Sequence, residues 1–297
     1  MTMNTIIGTA TLRPTPPRPR SADAAALAGA WFEAAAPGGP LRLYASGTAR
    51  HAADAAVALA RCEPLLDALD DWSGTALDWR WIAAPAAVTS AASHARAHWT
   101  PETNPTGKRE VGCRLELPWA LLRSLPAPDQ TLARQLHWAD VPVTLAVARL
   151  WIEPDELGLL ERGGAVVLPE SMQAGWQGVL RALDEPATPG HGVPVTLASP
   201  WAPRRVRVAP PAPARAAAVG AGTACEVRLA IPHAVASDRL SGWFEGDVGA
   251  VGVRAGLWRC ASEREPAVCL AAGELMPWGD GWALAIEDLY EIRHARR

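Results

Sequence analysis

Through most of this chain apolar residues recur in short alternating runs of strand character, and helical spacing is confined largely to the first third. From Ala24 the run ADAAALAGAWFEAAA predicts a helix stopped by Pro37, Gly38, Gly39 and Pro40, after which Leu41 to Ser46 alternate as a short strand. A longer helical pattern follows in RHAADAAVALARCEPLLDALDDW, broken or kinked near Cys62 because Pro64 lacks an N–H and crowds the preceding turn. Ala76 to Ala83 alternate again, with Leu77, Trp79 and Trp81 on one face of a strand. Trp99 to Arg109, rich in Pro, Thr, Asn and Gly, reads as an exposed loop. Val111, Cys113, Leu115 and Leu117 then share a strand face, and Pro118 stands where the first turn of a helix tolerates it.

The second half contains an internal repeat. Val143, Leu145 and Val147 lie 84 residues before Val227, Leu229 and Ile231, and Leu157, Leu160 and Gly163 lie 83 residues before Leu240, Trp243 and Gly246. Each copy is an alternating strand, a polar helix start, a short helix with an i,i+3 apolar pair, a glycine suited to a helix C-terminus, and further strands. Thr11 to Arg20 hold four prolines and no apolar periodicity, and Ser199 to Gly222 replace any amphipathic pattern with Pro, Ala, Arg and Gly. The resulting division is a disordered leader over 1–22, an amino-terminal α/β domain over 23–139, repeats over 140–198 and 223–297, and a linker over 199–222. The predicted class is α+β. A unit of about 60 to 70 residues buries a small core and leaves strand edges open, so the two copies are expected to pair.

Composition narrows the function. Across 297 residues, 28 basic side chains stand against 31 acidic ones, which gives no electrostatic footprint for nucleic acid. No run approaches the ~20 apolar residues of a membrane span, so no direct membrane insertion is expected. Five scattered cysteines, none in a Cys-x-x-Cys pair, indicate neither a disulfide framework nor a zinc site. No G-x-G-x-x-G, Walker A or G-x-S-x-G string occurs, and no catalytic, cofactor-binding or metal residue is assigned. His94 and His98 in SHARAH are i,i+4 and would share a helix face, but lack a third ligand; Asp67, Asp70 and Asp71 read as a solvated helix end. Arg204, Arg205, Arg207 and Arg215 read as solvation of the linker. Fourteen Trp against two Phe and two Tyr favour binding hot spots, with Trp243 and Trp258, then Trp151, as interface candidates.

The string Leu240-x-x-Trp243-x-x-Gly246-Asp247-Val248, then Val268-x-Leu270-x-x-Gly273-Glu274-Leu275 and the strand Ala283 to Ile286, resembles the SPOA (surface presentation of antigens) domain. That domain belongs to the type III secretion cytoplasmic ring proteins of the SctQ/YscQ/HrcQ family, homologous to the flagellar switch proteins FliM and FliN. The first repeat matches through Leu157, Leu160, Gly163 and Val166 to Leu168, with Gly164 where the family usually has Asp. The resemblance covers Val141 to about Glu291. It implies two SPOA domains that pair as an intertwined dimer through Trp151, Leu157, Leu160, Gly163, Leu240, Trp243, Gly246, Asp247, Trp258 and Gly273. It implies a non-enzymatic scaffold of the sorting platform, cytoplasmic and peripheral at the inner membrane. Implied partners are a SctL-like stator and through it the secretion ATPase, a SctK-like adaptor with a SctD-like inner-membrane ring protein, and chaperone–effector complexes. A carboxy-terminal fragment from an internal start is a further expectation; with no Met between Met172 and Met276, Val219 is the best-placed start. The rivals are a flagellar motor switch component and, from another class, an enzyme using His51, His94, His98, Asp70 and Asp71 within residues 24–139.

Overall fold

The computed structural model describes residues 29–47, 49–82, 94–101, 112–168, 177–183, 185, 192–197, 204–208, 222–252, 254–260 and 267–290. The leader, Val111, Arg215 and Val219 lie outside them, as does most of the Trp99 to Arg109 loop. Helix and strand are mixed in an α+β arrangement. Among the described residues no helix is long and apolar enough to cross a membrane.

The amino-terminal part opens with β1 (Gly29–Ala36) and β2 (Gly39–Ser46), an antiparallel hairpin. This corrects the helix expected up to Ala36. Ala30, Phe32 and Ala34 are buried while Trp31, Glu33 and Ala35 are not, so the alternation within AWFEAA prevails over the helical propensity of its alanines once β2 is alongside. Gly38 and Gly39, with φ of 88° and 131°, make the turn. Helices α1 (Ala52–Ala60) and α2 (Glu63–Ser73) are separated where Pro64 was expected to break them, with Pro64 inside the first turn of α2. The Asp54 carboxylate accepts from the backbone N–H groups of Arg50 and His51 at 3.0 and 3.2 Å and so caps α1. Leu65, Leu69 and Trp72, at i, i+4 and i+7, are the buried stripe of α2.

β3 (Arg80–Ile82) is shorter than the strand expected over Ala76 to Ala83, and Trp81 is exposed. β4 (His94–Trp99) is a strand where a helix was considered, so His94 and His98 share a face by the two-residue period instead. Ala95, Ala97 and Trp99 fill the opposite, core face. β5 (Cys113–Pro118) leads through Pro118 into α3 (Trp119–Ser124), followed by α4 (Gln130–Gln135) and β6 (Leu136–Trp138). The sheet order is β3-β1-β2-β5-β4-β6, and every pairing is antiparallel.

The repeats follow. β7 (Asp140–Val141), β8 (Val143–Ile152), α5 (Pro154–Leu157), β9 (Ala165–Val167), β10 (Gln177–Ala182), β11 (Val193–Leu197) and β12 (Arg204–Val208) form the first. β13 (Thr223–Ala230), β14 (Val235–Ala236), a 3-10 turn (Ser237–Leu240), β15 (Asp247–Val251), β16 (Arg254–Arg259), β17 (Val268–Trp278) and β18 (Gly281–Leu289) form the second. β12 corrects the linker: the Val206-x-Val208 alternation lies inside Pro- and Arg-rich composition, and its backbone pairs with β11 and β15. Residues 209–221 lie outside the described set.

Both repeats enter one ten-stranded sheet, ordered β15-β12-β11-β10-β8-β13-β16-β17-β18-β9. Read from its middle outward, β8, β10, β11 and β12 of the first repeat correspond to β13, β16, β17 and β18 of the second. Each side is then completed by a strand of the other repeat: β9 lies on β18, and β15 lies on β12. Leu145 and Leu229, equated by the 84-residue offset, stand directly opposite each other. The same offset carries the Thr144/Ala230 pair onto the Arg228/Ala146 pair, so a pseudo-two-fold axis passes through the two leucines.

Candidate interaction site at the seam of the repeats

One face of the seam is apolar. Leu145, Leu229, Leu180 and Leu257 are fully buried there, and Leu157 and Leu240 join the core from corresponding places in the two repeats. Leu160 and Trp243 are half-buried against that core. At the end of the helical segment the Gly163 N–H donates to the Ile286 carbonyl at 2.8 Å, and the Ile286 N–H donates to the Gly164 carbonyl at 2.9 Å. The first repeat is thereby stitched to the last strand of the second. Gly163 holds a φ of 85° and Gly246 one of 144°, conformations that glycine adopts at low cost. Asp247 lies in the β15 ladder opposite Arg207. A Cβ on Gly273 would run into the Ala285 carbonyl oxygen across the β17–β18 pair, where the register shifts at Ala272/Gly273.

The opposite face of the same strands is charged and buried. The Arg181 guanidinium meets both Glu226 carboxylate oxygens at 3.2 Å, and Arg228 Nε reaches Glu226 Oε2 at 3.1 Å. Arg149 stands opposite Glu226 across β8 and β13, and Trp258 stands opposite it across β13 and β16. The Arg228 guanidinium lies 5.1 Å from the Trp258 ring centroid, and Arg149 lies 5.7 Å from that of Trp151, both favourable cation–π distances. Burial, opposed by Glu226, holds the Arg228 guanidinium below its usual range. This cluster was missed from the sequence. Its signal was Glu226 and Arg228 alternating within the otherwise apolar run CEVRLAI.

Trp243 sits elsewhere than the strand seam. It packs edge-on to Trp72 at 5.7 Å and tilted against Trp138 at 6.4 Å, tying the second repeat to the amino-terminal part. Ser237 Oγ donates to the Ala139 carbonyl at 2.6 Å, and β14 pairs with β7. Arg123 of α3 grips Glu185 bidentately at 2.6 and 2.8 Å. Of the ten residues named for pairing, the structure brings Gly163, Gly273 and the β15 ladder at Asp247 to strand exchange. Trp151 and Trp258 stand on the charged face, and Trp243 on the contact with the amino-terminal part.

The residues considered for an enzyme do not converge. His94 and His98 occupy the face of β4 opposite its core face, whereas Asp70 belongs to α2 and accepts the Leu77 N–H at 3.0 Å. His51 precedes α1 and is exposed. Among the described residues no three His, Cys, Asp or Glu side chains cluster as metal ligands. Burial, then the Arg42 guanidinium, holds the His94 imidazole below the usual histidine range. Its contribution to stability is therefore present above pH 6.5 and lost as pH falls towards the depressed folded value. In His94→Asn the stability lost between about pH 7.5 and about pH 5.5 in urea titrations should shrink; an unchanged loss would assign it to other groups.

Cys62 Sγ and Cys113 Sγ lie 2.8 Å apart in the core, and hydrogen bonding to Cys62 together with burial pushes the Cys113 thiol up. Burial pushes Cys225 up to about 12 and Cys269 up to about 11. Cys62, Cys113 and Cys225 are all inaccessible to solvent, so although its bond with Cys113 lowers the Cys62 thiol, a disulfide-exchange reagent near pH 8 should leave these three unmodified in the folded chain and titrate all five thiols after denaturation. Rapid modification of all five in the native state would contradict this packing. Comparison with protein-family models, curated proteins and solved structures finds no match.

Proposed function

We propose that this chain is a non-catalytic scaffold of the type III secretion cytoplasmic ring, built on a pair of SPOA domains fused in one polypeptide. The observation that carries this reading is the reciprocal exchange of β9 and β15 about the Leu145/Leu229 axis. Two units that each lend a strand to the other form a platform that neither completes alone, which suits a protein whose work is assembly. The amino-terminal part, held against that platform by Trp243 and by the Arg123–Glu185 pair, is a second surface for partners. In this proposal the protein acts at the cytosolic face of the inner membrane, where it docks the stator and its ATPase, the ring adaptor and chaperone–effector complexes for protein export.

The test is cross-linking and affinity isolation of the full-length tagged chain from cells that encode it. Enrichment of a type III stator together with its ATPase is the expected result. Recovery of flagellar rotor components in their place would transfer the scaffold to the motor switch, and recovery of neither set would overturn the reading.

A further inference from the structure

On the charged face two guanidiniums, those of Arg181 and Arg228, meet the Glu226 carboxylate, and Arg149 is the ladder partner of Glu226 on β8. Arg181, Glu226 and Arg228 have side-chain exposures of 4, 3 and 1%, so among the described residues two positive charges held out of water share one carboxylate. Among the described residues Arg228 Nη1 has no hydrogen-bond partner. A buried charge left with unused donors carries a desolvation cost that a bound anion would offset. Arg228 also lines a cavity of about 320 Å³, at the small end of the range for ligand sites. Val143, Ile231 and Ala272 supply apolar wall, the Trp258 ring lies beside the guanidinium, and Tyr290 is a half-exposed lining residue. Arg254, the other cation on the lining, is already held by Glu287 and Asp288. Arg228 therefore remains the group with bonding capacity to spare.

We propose that this cavity binds a carboxylate borne on a small apolar group, with the carboxylate at Arg228 and the apolar part against Val143, Ile231 and Ala272. The same chemistry is offered by a free branched acid and by the carboxy-terminus of a polypeptide ending in an aliphatic residue. The inference does not depend on the scaffold function.

The full-length chain is titrated by calorimetry and thermal shift with N-acetyl-leucine, N-acetyl-leucinamide, the acetylated tripeptide Ala-Ala-Leu with a free carboxy-terminus, the amide of that tripeptide, and inorganic phosphate. A charge-assisted pair predicts that each free acid binds about tenfold to a hundredfold more tightly than its amide. Stronger binding of the tripeptide would point to a polypeptide terminus as the source, and equal or stronger binding of N-acetyl-leucine to a free acid. Arg228→Met should abolish the discrimination between acid and amide. Ala230→Phe, a change at an exposed position on the cavity lining, should abolish binding of both with the fold retained. Equal binding of acids and amides, binding of phosphate as tight as that of the acids, or no stabilisation by any acid at about 10 mM would overturn the proposal.

Discussion

Replacing Glu226 with alanine is expected to lower the unfolding free energy by about 3–5 kcal/mol, the cost of removing one partner from a buried ion pair. The loss exceeds the worth of the contacts themselves because Arg181 and Arg228, both essentially inaccessible, would remain charged with no carboxylate between them. Against a typical domain stability of about 5–15 kcal/mol this is enough to make the fold marginal. Exchanging all three members together, as Arg181→Met, Glu226→Leu and Arg228→Met, should recover much of the loss, since the desolvation cost of the ions goes with them. Urea titrations of the two variants beside the parent read both effects. A Glu226→Ala protein as stable as the parent would mean that the arginines reach water or another anion.

Gly273→Val should be comparably damaging, for a steric rather than an electrostatic reason. The strand-to-strand approach at this point brings the Ala285 carbonyl oxygen to where a side chain would begin, and backbone on both sides leaves nothing flexible to yield. Separating β17 from β18 here also withdraws the platform on which β9 lies, because Ala285 is itself the partner of Ala165. A cost of about 3 kcal/mol or more is expected, read as a fall in melting temperature of roughly 10 °C for a chain of this size. Gly112→Ala is the control: the nearest atom to a Cβ there is Ser46 Oγ at 4.0 Å, and its melting temperature should stay near that of the parent. Equal effects of the two changes would show that the tight approach at Gly273 is not what limits substitution.

Elements specified by local pattern were legible in the sequence. The break at Pro64, the strand from Val143 and the polar start of α5 at Pro154 all rest on residues a few positions apart. Ala-rich composition misled at Gly29 to Ala36, where side-chain alternation is weak because alanine is small on both faces. His94 and His98 fit helical and strand periods alike when only four residues separate them, and partners from β5 and β6 settle the choice. β12 was hidden by arginine and proline, which report solvation and not pairing. In the site, the glycine landmarks and the repeat offset were legible, because each is a local backbone demand. The ion cluster at Glu226 was not, because Arg181 of β10 reaches Glu226 of β13 only through the lateral order of β10, β8 and β13. Trp243 carried the right chemistry for an interface, but nothing local distinguishes the strand seam from Trp72 and Trp138.

The exchange of β9 and β15 also sets a timetable for folding. β9 leaves the ribosome early, yet its partner β18 spans Gly281–Leu289, so the first repeat waits through more than a hundred residues of synthesis before its edge is covered. Contacts of such sequence separation close slowly, and the interval leaves a strand edge open to strangers. The covalent connection through residues 209–221 biases the competition, since it presents the correct partner at an effective concentration of about millimolar while a second copy must arrive by diffusion. Where chains are crowded during synthesis or refolding, that advantage narrows. Two polypeptides can then satisfy the same ladders by lending β9 and β15 to each other, so interlinked dimers with native contacts are the characteristic misassembly of this architecture.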